Sequence, residues 1–170
     1  NVRGIMSKTR GGTLESALDT LNIDIMAVQE TLQTEGDVPD LRNYEWIAGD
    51  KFPDTSTSGT GLGWCVSKRL ADNIEPINGE NQELCQWMRV RIGKVTTLIG
   101  NIYIAPSTKA FKTALRHIEK EWKSLCREEK VHRTVLMGDF NAWLGQGSDD
   151  DVIGPLTSNP KSKKPDDEGK

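Results

Sequence analysis

Apolar residues recur at helical spacing in two segments of the chain. In residues 13–21 they fall on one face, with Thr13 as a plausible N-cap and Glu15 as negative charge in the first turn. The second segment begins at Thr108, and its apolar positions are Phe111, Leu115, Ile118, Trp122 and Leu125. This spacing predicts two helices, of which the second is the longer.

Shorter apolar or alternating runs are typical of strands. The predicted strands are residues 25–28, 44–48, 62–67, 84–92, 95–105 and 134–137. Gly93 and Lys94 interrupt the fourth and fifth runs as a hairpin would, which indicates antiparallel pairing. Residues 50–61 are rich in Ser, Thr and Gly and predict a loop.

Length and charge narrow the class of protein. A chain of 170 residues has room for one domain with a real core, so we predict a single domain over residues 1–170. The net charge of −3 argues against a protein that coats nucleic acid through bulk electrostatics. No apolar run suits a membrane span or a signal peptide, and the three widely spaced cysteines favour reduced, buried thiols in an intracellular protein without membrane contact.

Polar groups stand at the ends of three predicted strands: Glu30, Tyr103, and Asp139 with Asn141. Strand ends can converge on one edge of a sandwich, where carboxylate oxygens are natural ligands for Mg²⁺. Each residue alone also has an ordinary explanation. A strand-terminal Glu is usually solvated, a strand Tyr usually packs, and Asp-x-Asn commonly forms a turn or helix cap.

Five segments taken together carry a more specific signal. They read N-V-R-G at 1–4, D-I-M-A-V-Q-E-T at 24–31, G-T-G-L-G at 59–63, N-I-Y at 101–103 and G-D-F-N at 138–141. In this order the chain resembles the endonuclease/exonuclease/phosphatase superfamily, and most closely the apurinic-like endonuclease domain of non-LTR retrotransposons. Arg3 favours that branch, because the DNA-repair members more often have Asp or Asn there. The resemblance implies an α/β (α+β) fold, an αββα two-sheet sandwich that opens with an Asn-x-x-Gly strand.

The resemblance also implies roles for individual residues. Glu30 would be the metal ligand, with Mg²⁺ or alternatively Mn²⁺ as the cofactor. Asn1 would be a catalytic and substrate-binding neighbour of metal and phosphate. Tyr103 would contact the phosphate or leaving group, Asp139 would orient or deprotonate the attacking water, and Asn141 would hydrogen-bond the scissile phosphate. Together these groups would hydrolyse a phosphodiester.

The implied function is that of a metal-dependent DNA endonuclease. It would nick one strand of target DNA and leave a 3′ hydroxyl for a reverse transcriptase domain of the same polyprotein, which implies a nuclear location during that step. Loop 50–61 is a candidate DNA contact. Two alternatives remain open: a superfamily phosphatase or phosphodiesterase acting on a small or lipid phosphate, and a non-catalytic DNA-binding or interaction module.

The last third of the family pattern is not matched. It contains a further Asp and a terminal Ser-Asp-His segment, and neither is found in this sequence. Both histidines, His117 and His132, are predicted to be surface or packing residues. We therefore expect a C-terminally incomplete domain that lacks the final strands, with residues 146–170 as a polar loop or tail.

Overall fold

Seven strands and three α-helices make up the part of the chain that the computed structural model describes, namely residues 2–9, 12–33, 36, 38–49, 61–80, 82–105, 108–128 and 130–141. The helices are α1 (Ile5–Thr9), α2 (Thr13–Thr20) and α3 (Thr108–Glu128), and a 3-10 helix covers Lys68–Asn73. The strands are β1 (Ile25–Gln29), β2 (Tyr44–Ala48), β3 (Leu62–Ser67), β4 (Ile74–Ile77), β5 (Cys85–Ile92), β6 (Val95–Tyr103) and β7 (Arg133–Asp139).

The strands form two sheets. The first has the order β1-β3-β2 and is antiparallel throughout. The second has the order β4-β5-β6-β7, with antiparallel pairs up to β6 and a parallel β6–β7 pair. Helix α3 connects β6 to β7, because a parallel pair needs a crossover that returns the chain to the same end of the sheet. The predicted hairpin at Gly93 and Lys94 is confirmed.

Three apolar layers hold the elements together. The layer between the sheets contains Trp64, Val66, Met88, Val90 and Ile99. Ile5, Leu18, Val28, Leu41, Tyr44 and Cys65 pack α1 and α2 on the outer face of the first sheet. Phe111, Ala114, Ile118 and Leu125 pack α3 on the outer face of the second sheet, against Trp87 and Leu98 among others. The order helix, sheet, sheet, helix confirms the αββα sandwich.

Helix α2 begins differently from the prediction. Gly12, with a left-handed φ of 72°, is the N-cap residue, and Thr13 is the first residue of the helix without capping it. The carboxylate of Glu15 accepts hydrogen bonds from the backbone amides of Arg42 and Asn43. Glu15 therefore forms tertiary hydrogen bonds, whereas the sequence pattern predicted only a negative charge in the first turn of the helix.

The buried face of α3 is also slightly rotated from the predicted one. Ala114 is 4% exposed, whereas Leu115 is 39% exposed. Ala114 lies directly between Phe111 and Ile118 on the side that meets the sheet, and a small residue there allows close approach of the helix. Trp122 is half-buried, and its indole N–H donates to Thr134 Oγ1 at 3.0 Å.

Three short elements were not predicted: α1, the 3-10 helix and β4. They contain five, six and four residues, which is too few for a periodic apolar pattern, and β4 contains Pro76. None of the described helices is long and apolar enough to cross a membrane. The three cysteines are free thiols, as predicted. Cys65 and Cys85 are buried as expected, whereas Cys126 is half-buried.

Candidate active site

The C-terminal ends of β1, β6 and β7 lie at one edge of the sandwich. Tyr103 and Asp139 end β6 and β7 and are register partners in the parallel pair. Gln29 ends β1 in the other sheet, and its side-chain amide donates to Asn101 Oδ1 of β6 at 2.6 Å. The structure therefore brings Glu30, which follows Gln29, to the same edge as Tyr103 and Asp139.

Asn101 is the residue that joins the two sheets at this edge. Its side chain is fully buried, and its amide nitrogen donates to the carbonyl oxygens of Val28 at 3.1 Å and Gly63 at 3.0 Å. With the bond from Gln29, all of its polar atoms are used inside the protein. These hydrogen bonds tie the end of β6 to β1 and β3. Breaking them would leave buried polar groups unpaired, which costs free energy.

Glu30 follows β1 with its backbone held in a left-handed conformation, at a φ of 56°. Its carbonyl accepts a hydrogen bond from the amide of Gly4 at 3.0 Å, and the amide of Thr31 donates to the carbonyl of Gly61 at 3.2 Å. Its side chain is 18% exposed. This conformation costs free energy in a non-glycine residue and is maintained by the surrounding hydrogen bonds.

Asp139 and Asn141 form a fixed turn after β7. The amide of Asn141 donates to Asp139 Oδ1 at 2.9 Å, and Asn141 Nδ2 donates to the carbonyl of Ile104 at 2.7 Å. The amide of Ile104 in turn donates to the carbonyl of Asp139 at 2.9 Å. The Asp-x-Asn segment therefore forms the turn that such segments commonly form. This turn lies at the edge where the strand ends meet.

Gly138 makes the close approach between β6 and β7 possible at this point. Its φ is 139°, and a Cβ atom there would lie 2.0 Å from the carbonyl oxygen of Ile102. Any side chain would therefore push Asp139 away from Tyr103. The glycine of G-D-F-N has a steric reason in this structure.

The pKa of Tyr103 depends on the charges at this edge. Burial raises the pKa of its phenol, and the negative charges of Glu30 and Asp139 raise that pKa further. Both carboxylates are therefore near enough to Tyr103 to act on its phenol. The phenol stays protonated to a higher pH than an ordinary tyrosine and can donate a hydrogen bond there.

The oxygen groups at this edge suit a hard divalent cation. Glu30 and Asp139 provide carboxylates, and Asn141 provides an amide oxygen. The described residues contain no cluster of three or more His, Cys, Asp or Glu that could hold a metal. One or two carboxylates with retained waters are what Mg²⁺ usually accepts, so the donor set fits Mg²⁺ or Mn²⁺ better than zinc.

The opening segment lies beside Glu30. The amide of Val2 donates to the carbonyl of Gln29 at 3.0 Å, but residues 2–4 are not part of a strand and lead directly into α1. The opening strand implied by the resemblance is therefore absent from the described residues. Asn1 itself lies outside them, so its predicted role stays a prediction.

Gly49 and Gly61, at the two ends of the loop predicted over residues 50–61, lie at the same edge of the sandwich. The amide of Gly49 donates to the carbonyl of Leu62 at 3.2 Å, and Gly61 contacts Thr31. Residues 50–60 and 142–170 lie outside the described residues, and so does the predicted tail. His117 and His132 are both exposed, as predicted, and His132 contacts Thr96 at the opposite edge.

A surface cleft of about 840 Å³ lies elsewhere. It is lined by residues of α1, α2 and segment 38–43, including Glu15, Asp19, Asp40 and Arg42. None of the strand-end residues lines it. We place the candidate site at the strand ends, because that edge brings two carboxylates together with a phenol whose pKa they raise. In the cleft, the Glu15 carboxylate is already bonded to the backbone amides of Arg42 and Asn43.

The pattern of the sequence did not single out Gln29, Asn101 and Gly138 as supports of this site. A signal was present for Asn101, since it interrupts the apolar run of β6 at a position facing the other sheet. An amide in a buried strand predicts hydrogen bonds inside the core. Its partners could not be named, because they lie 38 to 73 positions away along the chain.

The chain has structural neighbours, although its sequence alone matches neither a family model nor a curated protein. An AP endonuclease from Leishmania major superposes with a TM-score of 0.65 at 13% identity, over 85% of this chain and 54% of that one. A mannosyl-6-phosphatase from Bacteroides thetaiotaomicron gives 0.55 at 16% identity, over 82% and 59%. The endonuclease domain of TRAS1, a telomere-specific non-LTR retrotransposon, gives 0.51 at 16% identity, over 83% and 56%.

Sequence identities of 13% to 16% are too low to assign a specific activity to this chain, whereas the superpositions show its fold. The chain spans little more than half the length of these neighbours. The neighbours include two endonucleases and a phosphatase, and each superposes on more than four fifths of this chain. The chain therefore shares the fold of these neighbours, which is the αββα sandwich expected of the endonuclease/exonuclease/phosphatase superfamily.

Proposed function

We propose that this chain carries the active site of a metal-dependent DNA endonuclease that nicks target DNA for non-LTR retrotransposition. The observation that carries the proposal is that the ends of β1, β6 and β7 bring Glu30, Tyr103 and Asp139 to one edge of the sandwich, where the charges of both carboxylates raise the pKa of Tyr103. The partners would be DNA and a reverse transcriptase domain of the same polyprotein, acting in the nucleus. The TRAS1 neighbour and the opening N-V-R-G segment support this branch.

The residues of the chain have distinct tasks in this proposal. Glu30 holds Mg²⁺ or Mn²⁺, which when bound neutralises charge on the phosphate. Asp139 orients or deprotonates the attacking water, and its own position is fixed by the amide of Asn141. Tyr103 keeps its proton and donates to the phosphate or the leaving oxygen.

Asn141 can contact the phosphate without breaking its own support. One hydrogen of Nδ2 is used by the carbonyl of Ile104, and the second remains for a nonbridging oxygen. Asn1 is proposed as a further amide donor next to the phosphate. Loop 50–61 is proposed to contact the duplex, because both of its ends lie at the site.

The test is nicking of supercoiled plasmid in Mg²⁺. Asp139→Asn keeps the shape of the side chain and removes its charge, so we expect a rate at least about a hundredfold lower. The matched control is Asp24→Asn at the opposite edge, where the carboxylate pairs with Arg69, and it should nick like the wild type. Equal rates for the two variants, in a version whose wild type nicks, would contradict the role of Asp139.

The assay should include a version extended beyond Lys170 along the natural reading frame, because the chain spans little more than half of its neighbours. Nicking by the longer version alone would keep the proposal and assign the missing groups to the extension. Turnover of a small phosphate ester without nicking would favour the phosphatase alternative. Retained Mg²⁺ binding with no hydrolysis by either version would favour the non-catalytic alternative.

A further inference from the structure

Arg3 is a cation placed beside the carboxylate of Glu30. Its Nε lies 3.9 Å from Glu30 Oε2, and its side chain is 89% exposed. The backbone on both sides is fixed, because the amides of Val2 and Gly4 donate to the carbonyls of Gln29 and Glu30. The backbone of Arg3 is therefore anchored, while its guanidinium is exposed to solvent at the edge of the site.

The contact between Arg3 and Glu30 is looser than the contacts that Arg69 and Arg89 make, and it resembles the exposed Arg91–Glu75 contact at 3.8 Å. Arg69 donates directly to Asp24, and Arg89 donates directly to Glu75. At 3.9 Å the Arg3 pair is a charge contact near the limit of an ion pair. Exposed pairs of this kind hold only weakly, so Arg3 can change partners at little cost.

The chemistry of the proposed substrate suits this freedom. A guanidinium presents a planar set of N–H donors that matches the oxygens of a phosphate. A cation bound to Glu30 would repel the guanidinium from that carboxylate. The guanidinium would then stand free of Glu30 at the edge where a phosphodiester is bound.

We propose that Arg3 is a phosphate-binding arm that exchanges partners. It neutralises Glu30 when no divalent cation is bound, and it binds a nonbridging phosphate oxygen of DNA when one is. The inference rests on the proposed function, since it needs a phosphodiester at this edge. It adds a substrate-binding residue and a competition between an arginine and a metal for one carboxylate.

The inference makes two predictions of opposite sign for Arg3→Gln. Removing the competing cation should tighten Mn²⁺ binding, about two- to fivefold for an exposed pair. Losing a charge-assisted contact should weaken binding of duplex DNA, about tenfold or more. Arg3→Lys keeps the charge without the planar donor set, so it should leave Mn²⁺ binding unchanged and weaken DNA binding partly.

Two binding measurements test this without relying on turnover. Mn²⁺ binding is titrated calorimetrically on the wild type and on each variant. Binding of a short fluorescent duplex is measured by anisotropy in Mn²⁺, with all variants in an Asp139→Asn background to prevent cutting. The matched control is Arg91→Gln, because Arg91 is also exposed and lies 3.8 Å from its carboxylate partner Glu75 at the opposite edge.

The outcomes separate this inference from the proposed function. If the wild type binds neither Mn²⁺ nor the duplex, the proposed function fails and the inference fails with it. If it binds both and Arg3→Gln behaves like Arg91→Gln, the inference is overturned while the function stands. If Arg3→Gln weakens DNA binding and leaves Mn²⁺ binding unchanged, the exchange of Arg3 between Glu30 and the phosphate is overturned. A lower melting temperature with both affinities unchanged would assign Arg3 a structural role instead.

Discussion

The two edges of the sandwich use polar residues in opposite ways. At the edge away from the site, charged side chains meet as exposed pairs, such as Asp24 with Arg69 and Glu75 with Arg91. At the site edge, a fully buried amide, Asn101, and a glycine that admits no side chain hold the strand ends. The carboxylate of Glu30 has its arginine only at 3.9 Å.

This difference shows where the protein fixes its backbone and where it leaves charge available. Exposed pairs at the opposite edge contribute little to stability and can be replaced. At the site edge the buried hydrogen bonds maintain the backbone, including left-handed residues such as Glu30 and Asn141. A carboxylate such as that of Glu30, which stands on a fixed backbone and has its arginine 3.9 Å away, is suited to a divalent cation.

The largest expected effect is that of Gly138→Ala. A Cβ atom would lie 2.0 Å from the carbonyl oxygen of Ile102, so we expect a loss of about 4 kcal/mol of unfolding free energy from strain and overpacking. Gly93→Ala is the control at the opposite edge, where φ is also positive at 60° but a Cβ atom meets nothing within 4 Å. It should cost about 1 kcal/mol. Urea denaturation measures both, and equal losses would break the comparison.

Asn101→Leu should have the next largest effect. It removes the partners of Gln29 Nε2 and of the carbonyls of Val28 and Gly63 inside the core, at a cost of about 3 kcal/mol. The control is Asn73→Leu, which removes one exposed bond to the carbonyl of Arg91 and should cost less than about 1 kcal/mol.

The same denaturation experiment distinguishes these two variants. A cost for Asn101→Leu as small as that for Asn73→Leu would mean that the buried network does not hold the sheets together.

The smallest effect concerns the two tyrosines, one at each edge. The pKa of Tyr103 is raised by burial and then by the charges of Glu30 and Asp139, and the pKa of Tyr44 is raised by burial and then by Asp19. Mg²⁺ at the site should lower the pKa of Tyr103 and leave that of Tyr44 unchanged. Glu30→Gln should also lower the pKa of Tyr103.

The tyrosine titration is followed by ring NMR signals, with Tyr103→Phe for assignment. Because both folded pKa values lie above the unfolded value of about 10, the folded state keeps these protons longer. Their contribution to stability is complete below that pH and is lost as the pH rises through the folded values. A Tyr103 pKa that does not change when Mg²⁺ is added would argue against a cation at Glu30.

Much of the fold could be predicted from periodicity. The bounds of β2 and β3 and the hairpin between β5 and β6 follow the pattern closely, since buried strands and tight turns leave local signals. Elements with weak local signals were missed, such as α1 and β4. Leu115 was placed in the core, although the docking of α3 buries Ala114 instead.

The sequence by itself determined which chemical groups stand at the ends of β1, β6 and β7, because a strand's end and its polar residue are local features. Only the tertiary structure decided that these ends share one edge, since β1 lies in a different sheet from β6 and β7. It also decided that Asn101 joins the sheets and that Arg3 faces Glu30. Those contacts depend on distances between residues far apart along the chain, which no local pattern contains.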